Sequence, residues 1–77
     1  MNEHPGANAL LDETLARIED QVRDELTGLI RAFRLAGRDQ GLVLQGHAQT
    51  YYAKQMAQHT VMKATGLPIR ANEIEVS

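Results

Sequence analysis

The sequence predicts an α+β fold: an αββαβ two-layer sandwich, with a three-stranded mixed sheet and two helices packed on one of its faces. Three observations predict it. Apolar residues recur at helical spacing from Leu11 to Leu26. A two-residue period flanks the turn residues Arg38, Asp39, Gln40 and Gly41. A second helical run with a small-residue face then leads into a short alternating run at the end of the chain.

Residues 1–10, with Pro5, Gly6 and two asparagines, show no period and are expected to form a disordered lead-in to a single domain over 11–77. Leu11, Leu15, Ile18, Val22 and Leu26 follow at steps of four, three, four and four, a narrow apolar stripe on a helix of about four turns. Gly28 stands where a left-handed residue stops a helix. Glu13/Arg17 and Glu19/Arg23 form favourably ordered pairs on its outer side.

From Leu29 to Ala48 the stretch "LIRAFRLAGRDQGLVLQGHA" reads as a hairpin. With Gly37 facing Leu42, Leu35 falls opposite Leu44 and Phe33 opposite Gly46, all on the core face. Arg34, Val43, Gln45 and His47 share the other, polar face. A ring opposite a strand glycine covers backbone that the glycine leaves bare.

Thr50 suits the N-cap of a second helix from about Tyr51 to Thr65, ended by Gly66 with Pro68 beyond. Ala53, Met56, Ala57, Thr60, Val61 and Ala64 cluster on one side, and so small a face lets the helix lie close on the sheet. Tyr52 is expected at the core edge near Met56. The last run, "IRANEIEV", alternates with Asn72, Ile74 and Val76 inward and Glu73 and Glu75 outward.

Three of these segments resemble a known family. The strand "LVLQGHA", the helix "TYYAKQMAQHTV" and the closing strand "ANEIEV" are similar to the corresponding segments of the BON domain (bacterial osmotic-stress and nodulation), in the right order and over roughly residues 12–76. The family is an αββαβ module of bacterial envelope and osmotic-shock proteins. The resemblance implies a non-catalytic role in attachment to phospholipid or another envelope component. Carried across, Leu42, Leu44 and Gly46 match its central strand, and Asn72, Ile74 and Val76 its closing strand. Together with Phe33 and Ala57 from the pattern above, these are fold positions. The chain departs from the family in having one domain instead of the frequent tandem, and in Pro68 just before the last strand.

Composition narrows the chemistry. The 77 residues contain no cysteine, which excludes disulfides, thiolate nucleophiles and thiolate metal sites. The net charge of −2 is uneven: residues 1–28 hold two arginines against seven acids, and residues 29–77 six cations against three acids. The basic part is compatible with an anionic surface such as phospholipid. "GRDQG" joins two strands and precedes no helix, so it fits neither a phosphate loop nor an RNA-binding GxxG loop, and no nucleic-acid partner is expected. The opening residues carry no basic n-region with an apolar run, and no segment approaches a membrane span. A cytoplasmic location is expected if the chain is whole, and an envelope-associated one if it belongs to a longer protein.

No catalytic, metal or cofactor site emerges. His47 belongs to the open sheet face and His59 to a helix over the other face, so the two imidazoles do not converge. The only serine is Ser77. Tyr51, Gln55 and Met62 project from the outer side of the second helix and are the candidate partner contacts. The expected partner is an anionic phospholipid or another protein. A monomer or a weak homo-oligomer is expected, the latter self-associating through the last strand's edge or the Tyr51/Met62 face.

Overall fold

The computed structural model describes residues 5–77, with side chains from Glu13 onward. Its elements are α1 (Pro5–Glu25), β1 (Ile30–Arg38), β2 (Gly41–Ala48), α2 (Tyr51–Ala64), β3 (Ile69–Asn72) and β4 (Glu75–Val76). Ile18, Val22 and Leu26 of α1 and Ala53, Ala57 and Val61 of α2 share one buried cluster with Phe33, Leu35, Leu42, Leu44 and Ile74. Both helices therefore cover the same face of the sheet, and the fold is α+β.

Residues 1–4 of the expected lead-in lie outside the described residues. From Pro5 the chain is already helical, which lengthens α1 to 21 residues. Proline is tolerated at a first helical position because its missing N–H would have no partner there, and the alanines and leucines that follow favour helix. Among the residues whose side chains are described, Leu15 is the first of α1 packed against the core. Gly28 stops the helix as expected, with φ +84° and open space around it.

The hairpin register places Gly37 opposite Leu42, Leu35 opposite Leu44 and Arg34 opposite Gln45. The register then shifts between Arg34 and Arg31, and beyond the shift Arg31 faces His47 and Ile30 faces Ala48. Ala32 and Phe33 thus share one position opposite Gly46, and Ala32 takes a left-handed φ of +56°. This bulge lets both Ile30 and Phe33 face the core although they are three residues apart. A regular strand would put one of them in water. Gly46 has φ +148°, and a Cβ there would lie 3.1 Å from Arg31 O and 3.2 Å from Phe33 Cα.

The turn is a two-residue loop in which Asp39 and Gln40 both have positive φ, 52° and 63°, the geometry of a type I′ hairpin turn. Gly41 follows because the start of β3 crosses against it: a Cβ there would lie 2.7 Å from Pro68 O and from Arg70 Cγ.

Strand order is β1-β2-β3, with β2 central, β3 parallel to it and β4 continuing along the same side of β2. The single closing strand expected from the alternation is therefore two pieces. They are joined through Glu73, whose N–H donates to Leu44 O at 2.7 Å, and Ile74, whose N–H donates to the Asn72 side chain at 3.2 Å. The Asn72 amide also donates to Lys54 O and to Gln58 Oε1, both at 3.2 Å, which ties the strand to α2. Asn72 and Ile74 point inward, but Val76 sits on the outermost rung beside Ala48 and remains 43% exposed.

Two further expectations are corrected. Val43 lies on the face away from the helices yet is fully buried. Ala36 and Ala71 flank it in register, and the Arg38–Glu73 ion pair (3.4 Å) reaches from β1 to the β3–β4 link across the strand that carries it. α2 ends at Ala64, one residue earlier than expected. Its cap is Thr65, in extended conformation with its N–H on Val61 O, and Gly66 plays no left-handed role. The other end of α2 is as the sequence implies: the Thr50 hydroxyl accepts from Ala53 N–H at 3.1 Å.

Candidate binding surface

Burying Ala53, Ala57, Thr60 and Val61 fixes the rotation of α2, and that rotation decides what faces out. Tyr51, Gln55 and Met62 are all exposed, with Tyr51 at 62% and Met62 at 58%. Tyr51 and Gln55 are one turn apart, and the Gln55 amide donates to the Tyr51 hydroxyl at 2.6 Å. That bond restricts the ring before any partner arrives. Tyr52, expected at the core edge, is instead 67% exposed. It belongs to the first turn, before the helix settles on the sheet at Ala53. Met56, one turn later, makes the core contact expected of both.

Met62 does not stand alone. It lines a groove of ≈ 410 Å³ with Gln58, Gly66, Leu67, Pro68 and Ile69, and Leu67 in turn walls a second, largely apolar groove of ≈ 430 Å³ beneath the hairpin turn. Met62 lies eleven residues beyond Tyr51, about 16 Å along the axis at 1.5 Å per residue. Between them the same side of α2 carries Gln55 and Gln58, so this surface is a restrained aromatic at one end and a methionine beside the grooves at the other, separated by amides.

The open sheet face has a different character. Arg34 approaches Glu19 at 3.9 Å, Arg38 pairs with Glu73 at 3.4 Å and His47 Nε2 lies 3.1 Å from Glu75 Oε1. Each of these basic groups is already opposed by a carboxylate. Of the six cations of residues 29–77, Arg34 and Arg38 are opposed in this way, which weakens this part of the face as an anionic-lipid platform. Among the described residues Arg31, Lys54, Lys63 and Arg70 form no ion pair. His59 is exposed on α2, away from His47. Among the described residues no group of three or more His, Cys, Asp or Glu is placed to hold a metal ion. No described helix is long and apolar enough to cross a membrane.

The remaining candidates belong to the fold. Phe33, Leu42, Leu44, Ala57 and Ile74 are buried, Gly46 is the bulge partner, and Asn72 is the strand-to-helix tie. Sequence reasoning missed the edge of β1. Glu19 Oε2 accepts from Leu35 N–H at 2.8 Å, and Arg23 Nη2 donates to Phe33 O at 3.1 Å. The only sequence signal was the Glu19/Arg23 spacing, which indicates a pair on the helix and says nothing of what the pair touches.

No family model matches the chain, and neither a curated protein nor a solved structure matches it.

Proposed function

We propose that the chain is a non-catalytic, BON-like binding module whose partner is a protein, engaged through the outer side of α2. One observation carries the choice of surface. Tyr51 is restrained by Gln55 yet largely exposed, on a helix side that continues to Met62 and the Leu67 grooves. A side chain already restricted loses less entropy on binding, so such residues are economical anchors. The BON character rests on the resemblance of the three segments and is supported by the helix–strand–strand–helix–strand order. The phospholipid attachment that the resemblance also implies draws less support, because Arg34 and Arg38 on the open face are already opposed by carboxylates.

Photo-crosslinking tests the proposal. p-Benzoylphenylalanine placed at position 51 or 62 is expected to give discrete protein adducts in cells, and the same group at Gln45 on the open face none. In parallel, amide shifts of the purified protein are followed against vesicles of phosphatidylglycerol and phosphatidylethanolamine at low salt. Shifts confined to Tyr51–Met62 with vesicles and no protein adduct would move the surface to phospholipid. Adducts equal at all three positions would remove it altogether.

A further inference from the structure

We propose that the outer edge of β1 is a strand-acceptor site for an acidic, extended peptide, held closed in the free protein by Glu19 and Arg23. The site stands apart from the α2 surface and does not depend on it.

β1 is an edge strand of the sheet. Alternate residues of such a strand direct their N–H and C=O groups away from the paired side, where a further strand would bond them. Two side chains of α1 take that place here. The Glu19 carboxylate accepts from Leu35 N–H, and the Arg23 guanidinium donates to Phe33 O. The two backbone groups belong to residues two apart, the repeat at which an antiparallel neighbour would bond. Glu19 and Arg23 are themselves paired at 3.2 Å, so one helix turn supplies both an acceptor and a donor in the position of a missing strand.

The chemistry of the occupant follows from β1 itself. Ile30–Arg38 contains Arg31, Arg34 and Arg38 and no acid. Arg34, 71% exposed, has its carboxylate contact with Glu19, the same group that closes the edge. A strand that displaced Glu19 would therefore leave Arg34 needing a new anion. Arg34, Ala36 and Arg38 lie on one face at alternate positions, so acidic residues at alternate positions of an added strand meet Arg34 and, beyond a small residue, Arg38, whose half-exposed pair with Glu73 they would share. The bulge at Ala32 ends the regular edge and limits the acceptor to Phe33–Arg38, which sets a peptide of about seven residues. Main-chain bonds of this kind give affinity, and the alternate side chains give selectivity. Because Glu19 competes for Leu35 N–H through a charge-assisted bond, apparent affinity is reduced by the fraction of molecules in which the edge is open.

The test uses a fluorescein-labelled heptapeptide of alternating valine and glutamate, with the valine–lysine heptapeptide as control. Fluorescence anisotropy of the full chain at low salt is expected to show weak binding, tightened at least tenfold by Glu19→Ala. Adding Arg34→Ala should weaken that binding at least fivefold, and amide shifts should centre on Leu35 to Gly37. If Glu19→Ala fails to fold, Glu19→Gln replaces it; the amide oxygen still caps Leu35 N–H but without charge, and about a threefold gain is expected. Equal affinity of wild type and the folded variant, equal binding of the lysine peptide, or shifts away from β1 would each overturn the proposal.

Discussion

Replacing Gly46 by alanine tests the bulge and the register together. The substitution meets two independent penalties. At φ +148° an L side chain is strained whatever space surrounds it, at a cost of about 1–3 kcal/mol for a residue held in such a region. The added Cβ would also lie 3.1 Å from Arg31 O, 3.2 Å from Phe33 Cα and 3.4 Å from Ala32 O. All three are backbone atoms of the bulge and cannot swing away, so overpacking adds to the strain. A combined loss of about 2–4 kcal/mol is expected, against about 4–12 kcal/mol for a domain of this length. The melting midpoint should fall by roughly 8–32 °C, using about 4–8 °C per kcal/mol for small domains. Urea denaturation followed by circular dichroism measures it, with Gly66→Ala as the control, since Gly66 has open space and no positive φ. A loss below about 0.5 kcal/mol would refute the geometry, because relaxation that easy is incompatible with Phe33 buried on the other side of the bulge.

Four further outcomes are expected. Gln40→Gly should stabilise the protein by about 0.5–1 kcal/mol in the same assay, since relief of the left-handed strain outweighs the extra unfolded-state entropy of glycine. Ala32→Gly should do likewise for the same reason, Ala32 being exposed and at φ +56°. Thr50→Ala removes the acceptor for Ala53 N–H and should cost about 1 kcal/mol, read as a lower urea midpoint at unchanged slope. Ala57→Leu puts three more carbons where no exposed surface remains and should cost about 1–3 kcal/mol; an unchanged melting midpoint would mean that the helix does not lie on the sheet there.

Much of the fold was legible because it is written in local period and cap chemistry. The stripe on α1, the hairpin pairing from Gly37 to Gln45 and the Thr50 cap each depend on residues within a few positions of one another. What was not legible depends on partners distant in sequence. Val43 looked like an outward residue on a polar face, and its burial comes from Ala36 and Ala71 on two other strands together with an ion pair that spans 35 residues. Tyr52 looked like a core-edge residue because periodicity gives the angle about a helix and not how far along its axis the sheet extends. The bulge was within reach: Ile30 and Phe33 are both apolar at a spacing of three inside a strand, and only an inserted residue lets both face inward. The candidate surface on α2 was read from the same helical wheel that located the core. The Leu67 grooves beside it required the loop after α2, whose path no period dictates.

The two edges of the sheet are treated differently, and the difference bears on what the protein can bind. On the far edge the strand is broken: β3 has a register shift after Leu42 pairs with Ile69, and it gives way at Glu73 to a two-residue β4. An edge interrupted twice within eight residues offers no long run of regularly spaced groups to a neighbouring chain, which counts against self-association through the last strand. β1 is longer, at nine residues, and in regular register from Arg34 to Arg38, and it is this edge that α1 closes with side chains. Broken geometry protects permanently. A side-chain clamp protects only while the helix holds its place, and neither Glu19, with its side chain 15% exposed, nor Arg23, at 48%, is among the buried anchors of α1, which are Ile18, Val22 and Leu26. A partner that bids for Glu19 or Arg23 therefore opens β1 without first dismantling the core, whereas no comparable step would make the far edge regular.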